Sequence, residues 1–345
     1  MPGNHRFLEA CRRRPVDRTP VWFMRQAGRI FPEFRALRER YDFVTLMQHP
    51  DLCAEITVMP VERLGVDAAI LFADIMTPLA PMGVRYRIEQ GVGPVVDEPI
   101  RQRRDVERLR RFDPREELSH VLEAVRLVRR ALDGRVPLIG FAGAPFTLAC
   151  YLIEGRPTRE FTRARALMYR EPELWHALMD VLADVVLAYL RAQVEAGAQA
   201  VQLFDSWVGG LGPLDYREFV LPYSRRIFAG LADTGVPRIH FGTGTAALLP
   251  LMAEAGPDVV GVDWRVELDR AWEAIGPDLG IQGNLDPAVL LGPFERVEER
   301  ALDVLRRAGG RDGHIFNLGH GVLPDTPVDH LRRLVELVHG VTERR

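Results

Sequence analysis

The sequence predicts an α/β protein, a single (β/α)8 (TIM) barrel domain over residues 1–345. Eight short apolar runs recur along the 345-residue chain, separated by longer segments with helical periodicity. Most runs are continuously apolar, as strands are when both faces of a parallel sheet are covered. Eight alternations favour a closed barrel over an open sheet. The predicted strands are 20–24, 66–72, 137–141, 200–204, 238–241, 259–262, 280–282 and 314–317.

Two of the intervening helices have recognisable ends. Pro172 suits the first turn of a helix, apolar residues follow at helical spacing, and Gly197 is placed to end it. Thr326 and Pro327 resemble an N-cap followed by a first-turn proline. We predict that Gly340 ends this last helix.

The stretch 77–117, between the second and third predicted strands, is too long for a simple connection. We therefore predict an elaborated loop or hairpin over the barrel mouth. Its segment 101–111 is rich in arginine, but Asp105 and Glu107 interrupt it and the net charge of the chain is -3. This pattern predicts a solvated helix face and no nucleic-acid partner.

The composition excludes several chemistries. The chain has 45 basic and 48 acidic residues and no lysine, so every basic residue is arginine. It cannot form a lysine Schiff base, hold pyridoxal phosphate in the usual way or supply a P-loop lysine. The 3 cysteines are far apart and predict neither disulfides nor a cysteine zinc site. The first residues lack the apolar core of a signal peptide and no run is long enough to span a bilayer, which predicts a cytoplasmic protein with no membrane partner.

Polar residues follow several strand ends, where barrel enzymes place their active sites. After the first strand, FMRQAGR puts Arg25 and Arg29 four residues apart, and Gly28 allows close approach of the backbone. If the turn is helical, the two guanidinium groups share a face and would bind a polyanion through paired hydrogen bonds. The alternative is a pair of surface arginines.

A carboxylate and a histidine follow two other strands. Asp74, in LFADIMTP, lies in an apolar run, where a carboxylate is costly unless something pairs with it. It is either the partner of an arginine or an anion presented to N–H groups or a developing cation. His320, in NLGHGV, lies between two glycines and either reaches a substrate or serves only the turn.

Two hydroxyl residues allow similar alternatives. Tyr151 is in the helix after the third strand, within GFAGAPFTLACYLIEG, and is either a core residue or a site residue. Ser206 follows the fourth strand in LFDSWVG, where it either caps a helix or faces the site. The motif G-x-S-x-G is absent here, which argues against a covalent serine mechanism.

With FMRQAGR, LFADIMTP, GFAGAPFTLACYLIEG, LFDSWVG and NLGHGV in this order, the chain resembles the uroporphyrinogen decarboxylase family over nearly its whole length. Ile30 departs from the family, which often has tyrosine there. The resemblance implies a homodimeric carboxy-lyase that removes CO2 from the four acetate side chains of uroporphyrinogen III. The product is coproporphyrinogen III, in haem biosynthesis, and no cofactor or metal is needed.

Matched residue by residue, the resemblance assigns binding of the tetrapyrrole substrate to Arg25, Gln26, Ala27, Gly28, Arg29, Asp74, Tyr151, Ser206 and His320. Among these we predict that Asp74, Arg25 and Arg29 are catalytic.

Two other functions stay open. The segment GTGTAA after the fifth strand, with Asp263 about twenty residues on, fits a dinucleotide-binding fingerprint and a nicotinamide oxidoreductase. Zinc-dependent methyltransferases of the same barrel superfamily are the other alternative. They use an H-x-C pair, whereas His240 is followed by Phe241 and Gly242 here.

Overall fold

The structure, a computed structural model, describes residues 5–89, 92–158 and 160–344. Residues 1–4 lie outside this description, and so do residues 90, 91, 159 and 345. The prediction for the first residues of the chain lies partly outside the described residues. So do positions 90 and 91 of the predicted region 77–117.

A curled parallel sheet forms the centre of the molecule and gives a TIM-barrel-like fold, as predicted. Among the described residues, seven strands pair in the order of the sequence, each parallel to the next. Two further strands form a separate antiparallel hairpin. In chain order the strands are β1 (Ala69–Ile70), β2 (Tyr86–Glu89), β3 (Gly93–Val96), β4 (Leu138–Gly143), β5 (Ala200–Asp205), β6 (Arg238–Gly242), β7 (Val259–Gly261), β8 (Gly280–Leu285) and β9 (His314–Leu318), with β2 and β3 making the hairpin.

The predicted first strand, 20–24, closes the barrel without becoming a regular strand. Val21 makes one parallel bridge to Phe316 of β9. The carbonyl of Val21 accepts the N–H of Asp67 at 2.7 Å, which connects the segment 20–24 to the chain just before β1. Two backbone N–H groups of the segment donate to side chains and not to a neighbouring strand. Asp67 Oδ2 accepts the N–H of Val21 at 2.7 Å, and Gln26 Oε1 accepts the N–H of Phe23 at 3.0 Å. Prediction of a full strand here was therefore wrong, whereas its place in the barrel was right.

The other seven predicted strands are present with shifted ends. β1 is shorter than the predicted 66–72, and β8 continues past the predicted 280–282 through polar Asn284 to Leu285. Apolar runs mark where strands are buried, but pairing with a neighbour decides where they end.

Helices surround the sheet. In the described part of the chain, none is long and apolar enough to cross a membrane. Their bounds are α1 (Arg6–Cys11), α2 (Pro32–Arg40), α3 (Phe43–Gln48), α4 (Pro50–Leu64), α5 (Arg103–Glu107), α6 (Pro114–Glu117), α7 (Ser119–Leu132), α8 (Pro145–Glu154), α9 (Thr162–Arg170), α10 (Pro172–Ala196), α11 (Pro213–Phe219), α12 (Leu221–Gly230), α13 (Leu249–Glu254), α14 (Leu268–Ile275), α15 (Phe294–Ala308) and α16 (Val328–Thr342).

The predicted helix ends are right in one case and wrong in the other. α10 begins at Pro172 and stops before Gly197, which has a φ of 126° and thus a conformation that favours glycine. α16 begins at Val328, after Pro327, but continues through Gly340 to Thr342. Gly340 does not adopt a positive φ and so does not end the helix.

The predicted elaborated region 77–117 contains the β2–β3 hairpin, α5 and α6. Val96 N–H donates to Gly155 O at 2.7 Å, which fixes the base of the hairpin against the end of α8. The charged segment is less solvated than predicted, because Asp105 is buried and accepts the N–H of Arg101 at 2.9 Å.

Candidate active site

A cavity of about 540 Å³ opens where the barrel strands end. Phe141, Phe204 and Phe241, from three neighbouring strands, give it an aromatic wall. The structure brings most of the predicted site residues to this one cavity. These are Arg25, Ala27, Gly28, Arg29, Asp74, Ser206 and His320.

Asp74 is a half-buried carboxylate at the cavity. Its Oδ1 accepts the N–H of Met76 at 2.8 Å. Burial raises the pKa of Asp74, while this hydrogen bond and the charge of Arg25 act in the opposite direction. Of the ion pairs within the described ranges, none involves Asp74, so the structure does not support its role as the partner of an arginine. The other alternative stays, in which the carboxylate of Asp74 is an anion that faces the cavity.

Arg25 and Arg29 both line the cavity and are both exposed. The segment between them forms turns and not a helix, and α2 begins only at Pro32. Helical spacing therefore does not explain why the two arginines share the cavity. Neither guanidinium forms an ion pair with an acidic residue of the described ranges, although many other arginines of this chain do. Two guanidinium groups at one cavity can therefore bind a polyanion without first breaking an internal pair.

Gln26 lies between these arginines but is buried. Its Oε1 accepts the N–H of Phe23 and its Nε2 donates to Ala68 O, both at 3.0 Å. The side chain thus connects the arginine-bearing turn to the barrel wall and does not line the cavity.

His320 lies in the turn after β9 and its Nδ1 accepts the N–H of Gly321 at 2.6 Å. Burial, together with the charge of Arg25, lowers the pKa of His320 to about 4, while Asp263 opposes them. The imidazole is therefore neutral at neutral pH. Because Nδ1 is an acceptor, the proton is on Nε2, which can donate a hydrogen bond.

The two hydroxyl residues lie on adjoining elements. Tyr151, on α8, is buried and its ring packs edge-on against Trp207 with 6.1 Å between centroids. Burial raises the pKa of Tyr151 to about 12, and the nearby charge of Asp74 contributes to the increase. Ser206 follows β5 and lines the cavity, and its carbonyl accepts the hydroxyl of Thr243 at 2.6 Å. The next short helix begins after Trp207 without a side-chain cap, so Ser206 does not serve as one.

The dinucleotide alternative does not fit the geometry. Asp263 Oδ2 accepts the N–H of Gly244 at 2.7 Å and also pairs with Arg265. The amide that would meet a phosphate and the acid that would meet a ribose are thus bonded to each other. As for metals, no group of three or more His, Cys, Asp or Glu side chains in residues 5–89, 92–158 and 160–344 is arranged to hold an ion.

Sequence reasoning missed several residues of the cavity. Arg38, on α2, lines it and lies 5.8 Å from the ring centroid of Phe43. Ile88 and Pro94 of the β2–β3 hairpin also contribute to the lining. The hairpin residues follow no barrel strand, and Arg38 is one arginine among many, so no local signal distinguishes them.

Comparison with known proteins places this arrangement in a family. The family model described as uroporphyrinogen decarboxylase (URO-D) matches residues 2–341. The chain belongs to the uroporphyrinogen decarboxylase family. A protein of Sorangium cellulosum named uroporphyrinogen decarboxylase is 56% identical over 336 residues, covering 97% of this chain and 96% of its own. A Streptomyces coelicolor protein of the same name is 57% identical over 338 residues, covering 98% and 95%.

Members of the uroporphyrinogen decarboxylase family share their barrel with other enzymes. A solved methyltransferase from Methanosarcina mazei has a TM-score of 0.82 to this chain at 22% sequence identity, covering 97% of this chain and 98% of that one. Identity this low shows the fold alone. The similarity thus supports the barrel and says nothing of methyl transfer by this protein.

Proposed function

We propose that this protein is a carboxy-lyase that converts uroporphyrinogen III to coproporphyrinogen III by decarboxylating its four acetate side chains in tetrapyrrole biosynthesis. One observation carries the proposal. Asp74, a half-buried anion, shares its cavity with two guanidinium groups, Arg25 and Arg29, and none of the three forms an ion pair within the described ranges. A reduced tetrapyrrole offers pyrrole N–H groups at its centre and carboxylates around its edge, which matches this distribution of charge.

Cleavage of the carbon–carbon bond needs a place for the electron pair that CO2 leaves behind. Protonation of a ring carbon turns the pyrrole into a cation that accepts this pair. The exocyclic carbon then takes a proton and becomes a methyl group, and the ring carbon gives its proton back. In net terms one proton replaces one CO2. The substrate supplies its own electron sink, so the proposal requires no cofactor.

Asp74 is placed to stabilise this cation. Its carboxylate would accept hydrogen bonds from the pyrrole N–H groups, which become more acidic when the ring is protonated. A preorganised contact of this kind contributes about 3–4 kcal/mol to stabilisation of a transition state. Burial strengthens the interaction because fewer water dipoles screen it, and the raised pKa of Asp74 is the corresponding cost.

The remaining residues would hold the carboxylates. Arg25 and Arg29 offer paired hydrogen bonds to acetate or propionate groups, and Arg38 adds a third guanidinium at the wall. Neutral His320 would donate from Nε2. Ser206 would add a hydroxyl donor from the cavity wall, and Tyr151 would add one from α8, behind the residues that line the cavity. The side chain of Gln26 would act by holding the arginine-bearing turn.

We further propose a homodimer in the cytoplasm, as the family resemblance implies. The free, buried thiols of Cys11, Cys53 and Cys150 are consistent with a reducing compartment. Mass measurement by light scattering tests the dimer, with twice the 39.0 kDa of one chain as the expected value.

The activity is tested by anaerobic incubation with chemically reduced uroporphyrinogen III, oxidation of the products and chromatography. Species with seven, six, five and then four carboxylates are expected without added cofactor. Oxidised uroporphyrin is the matched control and should not react, because its aromatic ring resists protonation at carbon. Full recovery of unreacted uroporphyrinogen III after incubation with folded protein would overturn the proposal.

A further inference from the structure

A second, smaller cavity adjoins the candidate active site. Its volume is about 120 Å³, roughly four times the share of one water molecule, which is enough for a short side chain. Ser206 lines both cavities, so they are neighbours, and we call the small one the side pocket.

The side pocket offers hydrogen-bond donors to a ligand. Arg165, on α9, contributes a guanidinium and Ser206 contributes a hydroxyl group, whereas the hydroxyl of Thr243 already donates to Ser206 O. The indole of Trp207 also lines it, and its N–H is buried without an acceptor among the described residues. A buried donor without an acceptor is costly, and a ligand oxygen would remove that cost.

Glu160 is the acidic residue that faces these donors. Its carboxylate lies 3.9 Å from Arg165, and both side chains are substantially exposed. An exposed pair at this separation contributes little to stability, so another carboxylate can take its place.

We infer that this side pocket binds one propionate side chain of the tetrapyrrole, with Arg165 as a residue that determines binding and orientation. The inference rests on the proposed function for the identity of the ligand. Propionates remain charged throughout the reaction, whereas each acetate loses its carboxylate. At each of the four decarboxylations a propionate is therefore available to the side pocket, where it would orient the substrate over Asp74.

Equilibrium dialysis of reduced coproporphyrinogen III, which keeps only propionates, tests this inference without turnover. Arg165→Gln should weaken binding about tenfold, since a charge-assisted hydrogen bond is lost. Arg165→Lys should recover part of the affinity. Glu160→Gln should strengthen binding about twofold, because a competing anion is removed. Arg170→Gln, on the exposed side of the same helix, is the matched control and should change nothing.

Steady-state kinetics completes the test. Arg165→Gln should raise KM by a similar factor for uroporphyrinogen III and for the later intermediates, because the propionates are common to all of them. An effect that fades as acetates are lost would assign the side pocket to an acetate and overturn the inference. Unchanged affinity in Arg165→Gln would also overturn it. Absence of turnover in the unmodified protein, with Arg165-dependent binding retained, would contradict only the proposed function.

Discussion

Arg25 lies directly across Gly321, in the turn that follows β9. A Cβ atom built at Gly321 would lie 2.7 Å from Arg25 Cγ, closer than such atoms normally approach. The backbone of Arg25 has a φ of 58°, in the left-handed region that favours glycine. The side chain thus reaches the cavity from a constrained backbone and over a surface that only glycine leaves open.

Gly321→Ala should therefore displace the Arg25 side chain and impair binding. A misplacement of about 1 Å costs about 10²-fold in activity, so kcat/KM should fall by that order while the barrel stays folded. Steady-state kinetics and circular dichroism check both parts. Gly340→Ala is the matched control, because nothing lies within 4 Å of a Cβ at that position. Unchanged kcat/KM in Gly321→Ala would show that the position of Arg25 is unimportant.

Asp74→Asn should make the protein more stable. Burial raises the folded-state pKa of Asp74 above its unfolded value, so the unfolded chain holds the ionised form more readily. Stability contributed by this residue is therefore gained as pH falls through the folded pKa and is lost above it. Asparagine removes the charge and keeps an oxygen for the N–H of Met76. We expect the midpoint of thermal unfolding at pH 7 to rise, and a fall would contradict the assigned cost.

His320 should titrate with a pKa of about 4, far below the ordinary range of histidine. Proton and nitrogen NMR of the imidazole should show a neutral ring at pH 6 with the proton on Nε2. His320→Gln identifies the signal by its loss. An ionisation of this residue near 6.5, the ordinary pKa of histidine, would contradict the assignment of a neutral donor.

Buried His314 should make the protein less stable in acid. Its Nε2 donates to Gly283 O at 3.0 Å, and burial lowers its pKa to about 4. Between pH 6.5, the ordinary pKa of histidine, and a pH of about 4, the unfolded chain binds the extra proton, so stability falls as pH falls through that window. This residue alone should cost about 2 kcal/mol between pH 7 and pH 5.

Urea unfolding at both pH values measures this loss. His314→Gln keeps an N–H donor without the titratable ring, so its stability should fall less between pH 7 and pH 5. Equal losses in the variant and the unmodified protein would assign the acid sensitivity to other groups.

The barrel could be predicted from the sequence because buried parallel strands leave continuous apolar runs. The segment 20–24 shows the limit of this signal. It has the apolar character of a strand, but two of its backbone N–H groups donate to the side chains of Asp67 and Gln26. A partner as distant in sequence as Asp67 is invisible in a local pattern.

The site was predictable where polar residues follow strand ends, because the barrel brings those ends together. Asp74, Ser206 and His320 were found in this way and share the cavity. Arg38 and Arg165 reach their cavities from helices, and a helix face with arginine is ordinary in a chain with 45 basic residues. Only the positions of α2 and α9 beside the cavities distinguish these two arginines.

Turnover of reduced uroporphyrinogen III by Asp74→Asn tests the central claim most directly. If the carboxylate stabilises the pyrrole cation, kcat should fall about 10²- to 10³-fold while KM changes little, because the arginine contacts remain. A kcat within about twofold of the unmodified protein would contradict the account.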